Sequence, residues 1–559
     1  MKKSILVMIT ALLLALALVL PVCAAEADTE QWNAQELGAS LDAFLESKAD
    51  NHAAVAVLVF TAEDDLYTRY FGAVDAAGNV PLNEDHVLEW GSTTKLLVWI
   101  SAMQLWEAGK LDLNEDIRTY LPDGFLKNLR FDKPVTMLNL MNHNAGFQET
   151  TFVLEVEDEE DIIPLGEYLA TYQPLQVFEP GSVVAYSNWG AALAGYVVEC
   201  IAGEAFSDYV QAHIFAPLEM KHSALAADLS DNAYVREKRK EFVSYMPDGM
   251  LSEENNKVFI LPYPAGMCTS TLADFATFAK ALLTRDTRLL SAEGFEKLYS
   301  PSLMYTGTDK ARLYHGFLVD YEFASPIVGH DGNTMGGSSR LLLDLENNVG
   351  MVVLTNQLGG SVYRTSMAEI VFGTADLHIP VDGYYIPARH VFEGKMKMLY
   401  NLFVGKGFHI TSEIADGLYV NVLPDRFEIS TCDYLAVDGS GVILDVMAVL
   451  WMAFAGFSLI GGAVIAAVSF RKRNLDRKKS AVVLYGLMIA LSWFAALPAV
   501  PRVAALVYAI LLCVFGSMLA ILLKKGEKPS RFVRVYAWVL YLSLAVTVLN
   551  YVLWDLIGF

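Results

Sequence analysis

Hydrophobic positions follow strand patterns in two regions, residues 54–75 and residues 340–356, which lie at the two ends of the first two-thirds of the chain. The strand-like stretches are AVAVLVF (54–60), LYTRYFGAVD (66–75), RLLLDL (340–345) and GMVVLTN (350–356). The first two predict a strand pair, and the last two, joined by ENNV, predict a returning hairpin. From Ser92 to about Leu283 the apolar spacing favours helices, interrupted by the acidic loop EVEDEEDIIP. We therefore expect residues 28–375 to form one α/β sandwich whose sheet joins both ends of this segment.

The pattern changes twice after this segment. Residues 379–440 contain short strand-like pieces, GYYIPARHVF, GLYVNVL, RFEIS and DYLAV, which predict a small β-rich domain. Residues 446–556 then contain four apolar runs, at about Val446–Phe470, Ser480–Val500, Val503–Leu523 and Val535–Trp554. A membrane-spanning helix needs about 20 such residues, so the runs predict four transmembrane helices.

Basic residues give these helices an orientation. RKRNLDRKK lies between the first two runs and KKGEKPSRFVR between the last two, so both fall on the same side, which the positive-inside rule makes cytoplasmic. Residues 1–25 have two lysines, an apolar core and small residues near Ala25, which indicates a secretory signal peptide; an uncleaved membrane anchor is the alternative. Both signals predict a multi-pass protein of the cell membrane with residues 28–375 on the extracytoplasmic side.

Composition narrows the class of protein. Hydrophobic residues make up 54% of the 559, which is more than a soluble domain carries and agrees with membrane segments. A formal net charge of −23 argues against a nucleic-acid partner. The five cysteines are scattered without metal-ligand spacing, and three remain outside the signal peptide and the apolar runs, so neither a metal site nor a disulfide framework is expected.

One candidate for chemistry is the pair Ser92 and Lys95 in EWGSTTKLLVWISAMQLWEAGKLDL. Residues three apart share a helix face, so the Lys95 amine can reach the Ser92 hydroxyl, and burial would lower the pKa of the amine enough for it to act as a base. Ser92 follows Gly91 at the start of the predicted helix, where the free N–H groups favour a developing negative charge. The alternative is a helix-capping serine beside a lysine that extends to solvent.

Two further segments carry polar groups that suit acyl transfer. Tyr186 and Asn188 flank Ser187 at a turn before a helix that starts near Trp189; a phenol can relay a proton and an amide can hold a substrate carbonyl. A surface tyrosine with a capping asparagine is the simpler interpretation. In VGHDGNTMGGSSRLLLDL, His330 and Gly332 precede a strand, and the backbone N–H of Asn333 could form an oxyanion hole with that of Ser92. A β-bulge with an incidental histidine is the alternative.

The order and flanks of these motifs resemble a known family. WEAGKLDLNEDIRTYLP, VTMLNLMNHNAGF, FEPGSVVAYSNWGAALAGYVVE, HIFAPLEMKHSAL, PAGMCTSTLADFATFAKALL and GHDGNTMGGSS are similar to landmarks of the serine hydrolases related to class C β-lactamases and low-molecular-weight penicillin-binding proteins. The resemblance covers about residues 36 to 375. It implies a β-lactamase/transpeptidase-like sandwich, an antiparallel sheet plus a helical region, in a membrane-attached member of the family.

The resemblance assigns roles to the matching residues. Ser92 is the expected nucleophile, Lys95 its base and Tyr186 a partner in proton transfer, while Asn188, with His330, Gly332 and Asn333, is expected to bind substrate. His143 is expected to be structural. This set requires no metal and no organic cofactor.

The third motif departs from the family pattern. His330, Asp331 and Gly332 replace the Lys-Thr-Gly of true β-lactamases, and a neutral histidine lacks the fixed charge that helps to hold a substrate carboxylate. The resemblance therefore implies a peptidase or esterase that acts on D-amino-acid peptides or esters in cell-wall chemistry, more than an antibiotic-degrading enzyme. Asp331 could further disfavour anionic substrates. The alternative is a membrane protein that binds or senses a β-lactam or wall fragment with little turnover, for which a membrane partner would be needed.

Overall fold

The computed structural model describes residues 33–51, 53–75, 77–149, 154–246, 258–391, 408–413, 417–437, 441–492, 502–525 and 528–553. The predicted signal peptide, residues 1–25, lies outside these ranges and stays a prediction. The helices of the described part, labelled α1 to α14 in chain order, are Ala34–Glu46, Lys95–Glu107, Met137–Met141, Leu165–Thr171, Asn188–Ala202, Phe206–Val210, Ala233–Lys238, Leu272–Leu283, Ala292–Leu298, Ser361–Phe372, Gly441–Arg471, Arg477–Ala490, Arg502–Lys524 and Arg531–Leu553.

Eighteen strands accompany these helices in the described ranges. In chain order, β1 to β18 are Val55–Thr61, Asp65–Phe71, Leu88–Glu89, Glu155–Val156, Ser223–Ala224, Phe259–Ile260, Thr269–Ser270, Leu303–Met304, Ala311–Tyr314, Phe317–Asp320, Ile327–Asn333, Ser338–Asp344, Val349–Thr355, Asp382–Pro387, Phe408–Thr411, Asn421–Val422, Arg426–Glu428 and Asp433–Ala436.

The main sheet has eight strands in the order β2-β1-β13-β12-β11-β10-β9-β8, with every pair antiparallel. The predicted strand pair is β1–β2, and the predicted hairpin is β12–β13. β1 pairs with β13, with Val55 opposite Thr355, so the sheet does join both ends of the segment. Strands β12 and β13 are buried along their whole length, because helices cover both faces of the sheet.

Two hydrophobic cores lie on opposite faces of this sheet. The smaller core combines side chains of α1 and α10 with alternate residues of β1 and β13. The larger core contains α2, α5 and α8. Helix α2 is apolar on all sides, and a helix of this kind is stable only when protein surrounds it. The catalytic pair predicted from the sequence therefore begins a helix that lies at the centre of the larger core.

Strands β14 to β18 form a separate five-stranded antiparallel sheet, in the order β15-β14-β18-β17-β16. We call this sheet and its connections the appendage. Its own core is small and centres on Tyr385, Val420 and Phe427. In a second cluster, Cys432 and Ala388 of the appendage pack against Val183 and Ala185, which lie just before Tyr186. The predicted small β-rich region is thus present, and it packs against the segment that leads to Tyr186.

At the carboxyl end, three helices are long and apolar enough to cross a membrane: Val449–Arg471, Ala504–Lys524 and Arg531–Tyr551. The second of the four predicted spans differs. Helix α12 begins at Arg477, its first turn carries three basic residues, and its described part ends at Ala490. Its apolar part is therefore too short among the described residues, and residues 493–501 lie outside them. The structure supports three of the four predicted spans. The remaining one, the second along the chain, stays a prediction.

Candidate active site

The nucleophile candidate lies where the helical core meets the main sheet. Residues Gly91–Thr94 form a 3-10 turn that continues into α2, which agrees with the predicted helix start. Gly91 has a φ of +54°, and a Cβ there would lie 2.5 Å from the backbone nitrogen of Asn333. Glycine is required both by this left-handed conformation and by the close approach of the strand. The turn thus holds Ser92 beside the end of β11.

Lys95 is completely buried, although it is a lysine. Its Nζ donates hydrogen bonds to Ser92 Oγ at 2.9 Å, to Asn188 Oδ1 at 2.8 Å and to the carbonyl oxygen of Ala265 at 2.7 Å. These three acceptors use all the protons of an ammonium group. The alternative of a lysine that extends to solvent is therefore wrong.

Burial also changes the acidity of this amine. Loss of solvation lowers the pKa of Lys95 to about 7, an effect that the positive charge of Arg389 increases and the negative charge of Glu149 opposes. At neutral pH a large fraction of the amine is consequently unprotonated. An unprotonated amine 2.9 Å from a hydroxyl can accept its proton.

Tyr186 lies on the other side of the serine hydroxyl. Against the larger effect of burial, the Ser92 side chain lowers the pKa of the Tyr186 phenol, and the centroid of the Tyr186 ring is 4.9 Å from the Lys95 Nζ. The ring of His143 packs on it with centroids 4.3 Å apart, and His143 Nδ1 accepts a hydrogen bond from the backbone of Ser187. Burial raises the pKa of Tyr186 and lowers that of His143, so the phenol stays protonated and the imidazole neutral near pH 7. His143 supports the tyrosine ring, as a structural role requires.

Asn188 is the first residue of α5, where Ser187 caps the helix by accepting a hydrogen bond from the Gly190 N–H. Its side chain connects Lys95 to a buried carboxylate that the sequence analysis missed. Glu149 Oε2 accepts from the Asn188 backbone N–H at 2.9 Å, and Oε1 accepts from Asn188 Nδ2 at 3.4 Å. Glu149 is 1% exposed, and burial raises its pKa. The chain of contacts therefore runs from Glu149 through Asn188 and Lys95 to Ser92.

The third motif forms the end of β11. Besides their expected role in substrate binding, its residues contact the turn that carries Ser92. A Cβ on Gly332 would lie 1.8 Å from the carbonyl oxygen of Trp90, so this glycine is needed for the contact with the turn that precedes Ser92. His330 is buried, and burial together with the nearby Lys95 charge lowers its pKa to about 4. The imidazole is therefore neutral at pH 7. Its Nδ1 lies 2.6 Å from the Asp331 carbonyl oxygen.

The Asp331 side chain does not add a free negative charge to the site. Its carboxylate oxygens lie 2.9 Å from Arg340 Nε and 3.4 Å from Arg364 Nη1. These two guanidinium groups balance the charge. The expectation that Asp331 disfavours anionic substrates therefore has no support in this geometry.

All seven residues predicted for the site are brought together by the start of α2 with the 3-10 turn before it, the start of α5 with the residues before it, and the end of β11. Two charged neighbours were missed, Glu149 and Arg389. Glu149 lies two residues after the family-like segment VTMLNLMNHNAGF, within a stretch that has no helix or strand periodicity. Arg389 belongs to the appendage, and no local pattern indicates which surface an appended domain will contact. Only the charge of Glu149 in an otherwise apolar and amide-rich stretch could have drawn attention to it.

Comparison with known proteins agrees with this geometry. The family described as Beta-lactamase matches residues 41–376 of the chain. Penicillin-binding protein 4 of Amycolatopsis lactamdurans is 26% identical over 355 residues, which are 60% of this chain and 89% of that protein. The human mitochondrial serine β-lactamase-like protein LACTB is 24% identical over 284 residues, covering 39% of this chain and 51% of the relative.

A solved structure shows the same fold. The octameric penicillin-binding protein homologue from Pyrococcus abyssi superimposes with a TM-score of 0.50 at 20% identity, covering 70% of this chain and 86% of that one. The family match spans more than half of the chain, and the residues that it includes contain the serine, lysine and tyrosine described above. The chain therefore belongs to the β-lactamase family and is a serine hydrolase related to the penicillin-binding proteins.

Proposed function

We propose that this protein is a membrane-anchored, extracytoplasmic hydrolase that acts through an acyl-enzyme on D-amino-acid peptides or esters, with a role at the cell wall. The observation that carries the proposal is the contact of the completely buried Lys95 amine with the Ser92 hydroxyl at 2.9 Å. A lysine with a purely structural role does not require contact with a serine hydroxyl. Burying a charged amine costs free energy unless the amine can lose its proton.

In the acylation step, unprotonated Lys95 takes the proton of Ser92 while Oγ attacks the substrate carbonyl carbon. The carbonyl oxygen becomes an oxyanion, which the backbone N–H groups of Ser92 and Asn333 stabilise. Tyr186, whose phenol is held in its protonated form by burial, passes a proton to the leaving amine or alcohol and recovers one from Lys95. The products of this step are the Ser92 ester and the free leaving group.

Deacylation reverses the proton path with water in place of the leaving group. Water attacks the Ser92 ester and gives its proton through Tyr186 to Lys95. When the oxyanion collapses, the bond from the carbonyl carbon to Ser92 Oγ breaks and Lys95 returns the proton to Oγ. Asn188 keeps the amine in position, because its Oδ1 accepts from Lys95 throughout. Its remaining amide proton is available to the substrate carbonyl.

Two observations support the proposed substrate class. The relatives include proteins named as penicillin-binding proteins, and the third motif holds a neutral histidine where true β-lactamases have a lysine. The membrane location rests on the three apolar helices, and the extracytoplasmic side rests on the basic loops between the predicted spans.

The proposal is tested with the full-length protein in detergent, treated with a fluorophosphonate and separately with activated esters. We expect covalent labelling of the wild type at Ser92, found by mass spectrometry of peptides, and more than one turnover of ester per protein. Ser92→Ala should abolish both, and Ser182→Ala, at an exposed serine of the same domain, should change neither. Labelling without turnover would favour the alternative of a binding or sensing protein, and absence of labelling in folded protein would refute the hydrolase.

A further inference from the structure

The appendage is fixed to the hydrolase domain by buried polar contacts. Arg312 of β9 lies with its Nη1 2.7 Å from the Asp433 carboxylate, and its Nε donates to the Ile429 carbonyl oxygen at 2.8 Å. The backbone N–H of Asp433 donates to the Val184 carbonyl oxygen at 2.8 Å, two residues before Tyr186. Both Arg312 and Asp433 are about 2% exposed. The appendage therefore contacts and fixes the backbone segment that immediately precedes Tyr186.

One cation of the appendage reaches the active site. Arg389 lies in the 3-10 turn Ala388–His390 that follows β14, and its guanidinium carbon is 5.2 Å from the Tyr186 ring centroid. Its carbonyl oxygen accepts a hydrogen bond from the Glu149 backbone at 3.4 Å. The turn thus touches two residues of the site from outside the hydrolase domain.

The Arg389 side chain forms no ion pair in the described part of the chain. Its Nε is buried without a hydrogen-bond acceptor, and none of the ion pairs among the described residues includes it. The nearby Glu149 carboxylate is bound by Asn188 instead. An arginine partly removed from water without a carboxylate partner is unfavourable, and a bound anion would correct this.

The other cations of the site cannot serve a substrate anion. Lys95 already donates to three acceptors and must lose its proton to act as a base. His330 is neutral, and Arg340 and Arg364 are paired with Asp331. Among the described residues, Arg389 is therefore the cation near Tyr186 that forms no ion pair, although its charge also acts on the Glu149 carboxylate.

The geometry points to Arg389 as a substrate-binding residue that the appendage contributes to the active site, where its guanidinium binds a carboxylate on the leaving-group side of the substrate. This inference rests on the proposed function and narrows its substrates to anionic ones. The positive charge that the third motif has lost is then supplied from a different domain. The hydrolase domain alone would lack this part of the site.

The test compares two thioesters with the full-length protein in detergent. Both contain the same N-acyl-D-alanyl group; the leaving group is thioglycolate in one and its uncharged amide, thioglycolamide, in the other. We expect the wild type to prefer the carboxylate substrate in kcat/KM. Arg389→Met should lower the ratio of the two kcat/KM values about tenfold or more, mainly through KM, and Arg389→Lys should restore most of it.

Arg426→Met is the matched control, because Arg426 is a second appendage arginine at the same interface and donates to the Ser182 carbonyl oxygen. It should leave the ratio unchanged. An equal loss for both thioesters in Arg389→Met, or the same change of ratio in Arg426→Met, would overturn the inference in favour of a structural role. Labelling of Ser92 without a wild-type preference for the carboxylate would overturn this inference alone, whereas failure of Ser92 to label would overturn the proposed function as well.

Discussion

At the scale of single residues, the chemistry of the site depends on how many protons Lys95 carries. As an ammonium group it donates to three acceptors, and as an amine it has a lone pair for the Ser92 proton. Burial and the charges of Glu149 and Arg389 decide between the two forms. A sequence can indicate which residues meet, but the balance of these three influences exists only in the folded protein.

A pH profile checks this balance. Because the folded-state pKa of Lys95 is lowered to about 7, the reactive amine is lost as the pH falls through 7, so the rate of Ser92 labelling should rise from pH 5 to a plateau above pH 8. Glu149→Gln removes the negative charge that raises this pKa, and should move the midpoint to lower pH. The measurement is the fluorophosphonate labelling rate between pH 5 and 9.

Glu179→Gln is the control for the charge change, since Glu179 is exposed and paired with Lys133. It should leave the midpoint where the wild type has it. A Glu149→Gln midpoint that is unchanged, or that moves to higher pH, would contradict the electrostatic role given to Glu149.

At the residue scale, local spacing in the sequence predicted which side chains the structure brings close together. Ser92 and Lys95 lie one turn apart, and Tyr186 and Asn188 flank a helix cap, so short patterns place each pair. Glu149 could not be predicted in the same way, because its partner Asn188 is 39 residues away and nothing periodic connects them. The buried state of Lys95 was also undecided until the surrounding helices were known.

At the scale of elements, strands and hairpins were the features best predicted from the sequence. Alternating and continuous apolar runs gave β1, β2, β12 and β13 within a few residues, and the apolar helix after Ser92 gave α2. The predicted second span is not among the helices long and apolar enough to cross a membrane, because three basic residues occupy the start of α12 and its described part ends at Ala490. The position of the appendage could not be predicted at all, since it depends on the fit of two surfaces.

The buried pair of Arg312 and Asp433 should be the main polar attachment of the appendage. Arg312→Met leaves the Asp433 carboxylate buried with fewer partners, and breaking such a pair costs about 3–5 kcal/mol. We expect a lower melting temperature and faster cleavage between the two domains in limited proteolysis. Both are measured on the full-length protein in detergent.

Arg288→Met provides the comparison, because Arg288 makes a similarly short contact with Asp286 but is 49% exposed. Exposed pairs contribute about 0–1 kcal/mol, so the melting temperature should hardly change. Equal effects of the two substitutions would show that burial of the Arg312 pair adds nothing to the attachment.

At the scale of the whole molecule, the apolar helices at the carboxyl end interact through polar side chains as well as apolar ones. Trp451 Nε1 donates to Ser492 Oγ at 3.0 Å, the Tyr551 hydroxyl donates to the Ser492 carbonyl oxygen at 2.6 Å, and the hydroxyls of Ser458 and Ser543 lie 3.1 Å apart. Large apolar side chains such as Phe457, Ile460 and Trp538 face outward. This arrangement suits helices surrounded by lipid, where internal hydrogen bonds connect neighbours.

The orientation of these helices can be tested by cysteine accessibility in intact cells. Asn474→Cys places a thiol in the loop between α11 and α12, and Glu237→Cys places one on the hydrolase domain, where Glu237 is 73% exposed. A membrane-impermeant maleimide should label Glu237→Cys and spare Asn474→Cys, with the unsubstituted protein as background. After permeabilisation both should react, and the reverse pattern in intact cells would place the hydrolase domain in the cytoplasm.

The pairing of β1 with β13 has a consequence for biosynthesis. Val55 finds its partner Thr355 only after nearly the whole hydrolase domain has been synthesised, so the central strands of the sheet cannot assemble as the chain emerges. Contacts so distant in sequence make folding slow. Until they form, one edge of β1 has unpaired backbone groups that can pair with another chain and cause aggregation. A chaperone that shields this edge would therefore act on the nascent chain before residue 349 appears, and shortened versions ending earlier should be insoluble.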